Sequence, residues 1–93
     1  MSSETKLIYR VTFWNQSQVY EVYARRVFAS QFLGFIEIEQ YIFGNRAQLL
    51  VDPSEEKLKN ELNGVRRSYV PIHSVIRIDE VEHEGVAKIS DGK

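Results

Sequence analysis

Apolar Leu7, Tyr9, Val11 and Phe13 alternate with Ile8, Arg10 and Thr12. That period of two predicts a strand with one face turned to a core. "NQSQ" at 15–18 supplies turn chemistry, and β-branched and aromatic "VYEVYARRV" follows. Tyr20, Val22 and Ala24 share one face there and Glu21, Tyr23 and Arg25 the other, so residues 7–26 read as a hairpin. "ASQFLG" at 29–34 fits a loop or a single helical turn. After it, "FIEIEQYIF" sets Ile36, Ile38 and Ile42 inward and Glu37, Glu39 and Tyr41 outward. "GN" at 44–45 marks a turn, and "AQLLV" a short fourth strand.

The period then changes. In "DPSEEKLKNELNG", Asp52 is an N-cap, Pro53 the first helical residue, Glu55 the capping-box acid and Gly64 the stop. Leu58 and Leu62 fall on one helical face, and Glu55 and Lys59 are spaced to pair. The pattern predicts one helix over about 53–63, too short to stand alone and therefore docked. Period two returns in "SYVPIHSVIRIDEVE", residues 68–82, as one long strand. Val70, Ile72, Ile76 and Ile78 share the parity expected inside. Tyr69, His73, Val75, Arg77, Asp79 and Val81 share the other. Pro71 cannot donate to a ladder, which places it at an edge, a strand start or a bulge. A run this long in so small a chain requires a sharp bend. Gly85 then turns the chain into a sixth strand, "VAKI". The fold expected is α+β: a curved antiparallel sheet or half-open small β-barrel of five to six strands, with one helix before the last long strand.

Composition narrows the function more than the fold. Ninety-three residues make a single domain, 1–93, with polar tails at 1–5 and 90–93. The absence of cysteine removes disulfides, thiolate chemistry and Cys-ligated zinc. A net charge of −1 gives no overall field for an anionic partner, and there is no DNA-specific signal. No apolar run approaches the ~18 residues of a membrane span. The first ten residues lack the basic and apolar regions of a signal peptide. A soluble cytoplasmic protein with no membrane partner is expected.

Catalytic motifs are missing. There is no P-loop, no G-x-G-x-x-G and no G-x-S-x-G around any serine, so no enzyme activity and no cofactor are expected. His73, Arg77 and Asp79 share a strand face, but positions four apart lie ~13 Å apart along a strand, too far for a self-contained dyad. His73 and His83 with the acidic run "DEVEHE" lack converging metal-ligand spacing, and no metal site is assigned. Glu37 and Glu39 read as a solvated face.

Two surfaces remain. Tyr20, Tyr23, Arg25, Arg66, Tyr69, His73 and Arg77 would offer rings beside cations if the sheet gathered them, which suits single-stranded RNA or a nucleotide. Against this, consecutive arginines point to opposite faces and pair with acidic neighbours. Trp14, Phe28, Phe32 and Phe35, with Leu33, crowd near the strand ends as a candidate protein interface. An open strand edge would add pairing across a two-fold axis.

"IYRVTFWNQSQVYEVYARRV", "GFIEIEQYIFG", "LLVDPSEEKLKNEL" and "YVPIHSVIRIDEVEHEG" occur in that order. Together they resemble the small bacterial proteins grouped as domain of unknown function 1820, along roughly residues 7–89. That resemblance implies no activity, cofactor or catalytic residue. "VPIHSVIRI" is also similar to strand segments of some RNA-associated small domains. The reading is a non-enzymatic interaction or regulatory module, protein-binding and homodimeric, with an RNA or nucleotide binder as the alternative.

Overall fold

A computed structural model describes residues 7–43 and 52–92. The turn expected at 44–45, the strand expected at 47–51 and the tail at 1–5 lie outside the described residues. Strands β1 (Ile8–Asn15) and β2 (Gln18–Ala29) form the expected hairpin, in register from Tyr9 opposite Ala24 to Asn15 opposite Gln18. Val11 faces Val22 and Phe13 faces Tyr20, and all four are buried. The loop is two residues, Gln16 and Ser17, both at positive φ (54° and 67°). This is the primed turn that suits strand twist, but made without glycine. A left-handed L-residue costs roughly 1–2 kcal/mol, so Ser17→Gly is expected to stabilise the protein by about 1 kcal/mol in chemical denaturation.

β3 (Phe35–Ile42) pairs with the second half of β2. Here the inward parity changes. Tyr20, Val22 and Ala24 are buried, yet beyond Arg25 it is Val27 that packs on the core, opposite buried Ile38. The switch coincides with Gln40, at φ 60°, which lies across from Arg25 between the Ala24–Tyr41 and Arg26–Glu39 pairs. One left-handed residue coils the strand pair and turns the other set of side chains inward.

The last long strand is two strands. β4 (Arg67–Pro71) pairs with β3, a 3-10 turn spans Ile72–Ser74, and β5 (Val75–Val81) pairs with β1. Pro71 ends β4, opposite Phe35, on a sheet edge where its missing N–H costs nothing. The strand order is β4-β3-β2-β1-β5. Five flat strands would hold β4 and β5 ~19 Å apart, whereas four residue steps from Pro71 to Val75 reach at most ~14 Å. The sheet therefore curls, without β4 and β5 pairing with each other.

β6 (Lys88–Asp91) lies on the β2 edge that β3 leaves free. It starts two residues later than expected and takes in Ser90 and Asp91 of the anticipated tail, and Gly85 before it lies close against the hydroxyl end of the Tyr23 ring.

Helix α1 (Pro53–Glu61) begins as the sequence requires: the Asp52 carboxylate accepts from the N–H groups of Ser54 (2.9 Å) and Glu55 (3.3 Å). Lys59 pairs with Glu56 at 3.6 Å rather than with Glu55, which is buried. Leu58 is sealed in the core and Leu62 packs at its margin. Ser54 donates to the Ile89 carbonyl and the Tyr20 hydroxyl to Glu61, which hold the helix against β6 and β2. The core gathers Val11, Phe13, Tyr20, Val22, Ala24, Ile36, Ile38, Leu58, Val70 and Ala87.

Candidate functional site

Of the four residues expected inside the last strand, only Val70 is buried. Ile72 is 51% exposed, Ile76 46% and Ile78 42%, a correction to the sequence reading. Parity is sound at Ile78, which stands directly opposite core residue Val11, but past a register shift it is Val75, expected on the other face, that pairs with Phe13 and packs on the core. β5 is an outer strand, paired with β1 alone, and its other edge has no strand beside it among the described residues. A bulge near Ile76, between the Thr12–Arg77 and Phe13–Val75 pairs, adds to the exposure. The outer face of β5 is polar. Arg10 donates to Asp79 at 2.8 Å and Arg77 reaches the same carboxylate at 3.1 Å. The Arg10 hydrogen bond, with help from Arg77, holds the Asp79 carboxyl below the usual range. Whatever stability the cluster adds is therefore present above the usual carboxylate pKa and lost as pH falls through the lowered one.

A second feature lies at the far end of β2. The registers set Arg26, Glu39 and Arg67 in one cross-strand row and Phe28, Glu37 and Tyr69 in the next. With the loop residues Ser30 and Phe32, these line an open cavity of about 490 Å³. Glu39 accepts from Arg26 at 2.8 Å and from Arg67 at 2.9 Å. Glu37, expected on a solvated face, is only 6% exposed; Ser30 donates to it at 2.9 Å and Arg67 stands 3.5 Å away. Arg26 lies over the Phe28 ring at 4.9 Å, and the Phe32 and Tyr69 rings are 5.0 Å apart. Two arginines and two glutamates cancel, so the cavity has no net charge to draw an ionic ligand. It reads as an ion-paired end of the sheet. Removing the short hydrogen bond to its buried carboxylate, Ser30→Ala, is expected to destabilise the protein by about 2 kcal/mol on denaturant titration.

The residues of the expected Arg/Tyr face are dispersed. Tyr20 and Tyr23 have opposite parity and both are buried, Tyr20 against Phe13 and Tyr23 under Gly85. Arg25 is half-buried, with one guanidinium nitrogen lacking a hydrogen-bond partner among the described residues. Arg66 is exposed before β4 and Tyr69 packs on Phe32. His73 is exposed in the 3-10 turn, and Arg77 is tied to Asp79 on β5.

The expected aromatic interface also divides. Phe28, Phe32 and Phe35 cluster around the β2–β3 loop, where Gly34 at φ 88° and a hydrogen bond from Phe35 N–H to the Phe32 carbonyl turn the chain. Trp14 sits at the opposite end of the hairpin, against Gly92. Periodicity could not have found the β5 edge, because alternation names a face without saying how far the opposing layer reaches. Among the described residues no three His, Asp or Glu side chains converge on a metal position, and no helix is long and apolar enough to cross a membrane.

No curated protein and no solved structure matches the chain. The family model for a domain of unknown function, DUF1820, matches residues 7–93, which takes in every strand and the helix described above. The chain belongs to the DUF1820 family.

Proposed function

We propose that this protein is a small, non-enzymatic interaction module that works by strand pairing, and that its first partner is a second copy of itself. The observation that carries the reading is the pair of half-exposed isoleucines, Ile76 and Ile78, on strand β5, with Ile72 in the turn before it, where the strand's outer edge has no strand beside it among the described residues. Open edges bearing apolar side chains join other strands unless something blunts them, and such a strip marks a partner surface. Burial of Tyr20 and Tyr23 takes away the stacking platform that an RNA-binding face would need, which favours the protein reading. Light scattering across a concentration series tests the proposal. A mass that rises to twice 10.9 kDa supports it, and a strict monomer at millimolar concentration refutes it.

A further inference from the structure

We infer that two copies pair their β5 strands antiparallel about a two-fold axis passing through Ile78, an assignment that rests on the self-association proposed above. A symmetric interface sets each residue against a fixed partner, so the charges on β5 select the register. With the axis at Ile78, Ile78 faces its own copy, Arg77 faces the partner's Asp79 on both sides of the axis, and Ile76 faces the partner's Glu80. Moving the axis one residue either way sets Arg77 against its own copy or Asp79 against its own copy. Like charges directly opposite are unfavourable. An axis between residues would turn the two inner faces to opposite sides of the sheet. Among these axes, only the one at Ile78 sets isoleucine against isoleucine at its centre and cation against anion on both sides of it.

The existing geometry is prepared for this arrangement. The side chain of Arg77 is 69% exposed and already contacts Asp79 of its own strand at 3.1 Å, so pairing exchanges that contact for the partner's Asp79, a carboxylate oriented by Arg10 at 2.8 Å. The three central pairs use residues 77–79, within the stretch that runs regularly beside β1. The bulge near Ile76 ends that regular stretch, so the paired segment is short. The inner faces of both copies lie on the same side of the joined sheet, where the two Ile78 side chains meet at the axis.

The chain contains no cysteine, so single-cysteine variants of the full protein report the register directly. Opposed residues stand ~4.5–5.5 Å apart at Cα, inside the disulfide range of ~4.4–6.8 Å. A residue offset by two from its own copy lies ~8 Å away, outside that range. Under mild oxidation Ile78→Cys is expected to form the cross-linked dimer at least tenfold faster than Arg77→Cys or Asp79→Cys. Faster cross-linking at 77 or 79, or at none of the three while light scattering reports a dimer, overturns the register and leaves self-association standing. A monomer that cross-links nowhere overturns both. Charge exchange gives a second readout. Arg77→Glu and Asp79→Lys each weaken self-association at least tenfold, and an equimolar mixture of the two forms a one-to-one heterodimer because each supplies the other's missing charge. Self-association that survives in either variant, or a mixture that stays monomeric while both variants keep cooperative thermal unfolding, contradicts the pairing.

Discussion

Replacing Leu58 by alanine is expected to cost about 3 kcal/mol, the middle of the range for emptying a sealed leucine site. A chain of this length has only ~5–14 kcal/mol of stability in total, so the midpoint of thermal unfolding should fall by about 15 °C. The site is severe because α1 has little else. It is nine residues long, marginal in isolation, with Leu58 as its sealed anchor and Leu62 only partly covered. Once the anchor is cut back, the hydrogen bonds from Ser54 to the Ile89 carbonyl and from Tyr20 to Glu61 lose the frame that aligns them. Helical circular dichroism should therefore fall with the midpoint. Lys57→Ala on the exposed side of the helix should change stability by less than about 0.5 kcal/mol. Equal effects from the two substitutions would show that α1 is not docked as described.

The double substitution Ile76→Lys/Ile78→Lys is expected to act on association and leave the fold nearly unchanged. Both residues are almost half exposed, so each retains about 1 kcal/mol of burial still to be gained in a complex. Two per copy across the axis give about 4 kcal/mol, or several hundred-fold in the dissociation constant. Lysine at 78 would also face its own copy across the axis, and that like-charge pair adds to the loss, while lysine at 76 would face the partner's Glu80. Sedimentation should show the variant monomeric at concentrations where the parent is dimeric, with a thermal midpoint within a few degrees of the monomeric parent. A midpoint collapse comparable to that of Leu58→Ala would mean that the isoleucines serve the monomer's own core.

The local elements and the open antiparallel sheet with one helix are legible in the sequence, and the strand order is not. The hairpin followed from alternation, and the helix start from Asp52 and Pro53, because each depends on neighbours a few residues away. The break after Pro71 was anticipated as a bend, since the ring removes a donor and a straight strand of that length does not fit so small a sheet. What escaped was set by register. Glu37 reads as a surface acid, yet cross-strand placement of Arg67 and a hydroxyl from Ser30 let it be buried. Tyr20 and Tyr23 read as rings for a binding face, whereas both are buried, Tyr20 against Phe13 and Tyr23 under Gly85. The isoleucines of β5 were assigned inward by parity, which was sound for Ile78 as far as direction goes. Their exposure follows from strand order, with β5 outermost, and strand order is a property of the whole sheet that no single run of residues states.

The edge of β5 is the feature on which the functional account turns, and amide hydrogen exchange measured against protein concentration addresses it backbone group by backbone group. Strand pairing between copies predicts that, among residues 76–80, the alternate amides that point away from β1 exchange slowly at high concentration and rapidly on dilution, while those bonded to β1 and those of the central strand β2 keep the same protection throughout. Outward amides of 76–80 that stay fast at every concentration, or slow at every dilution, would contradict it.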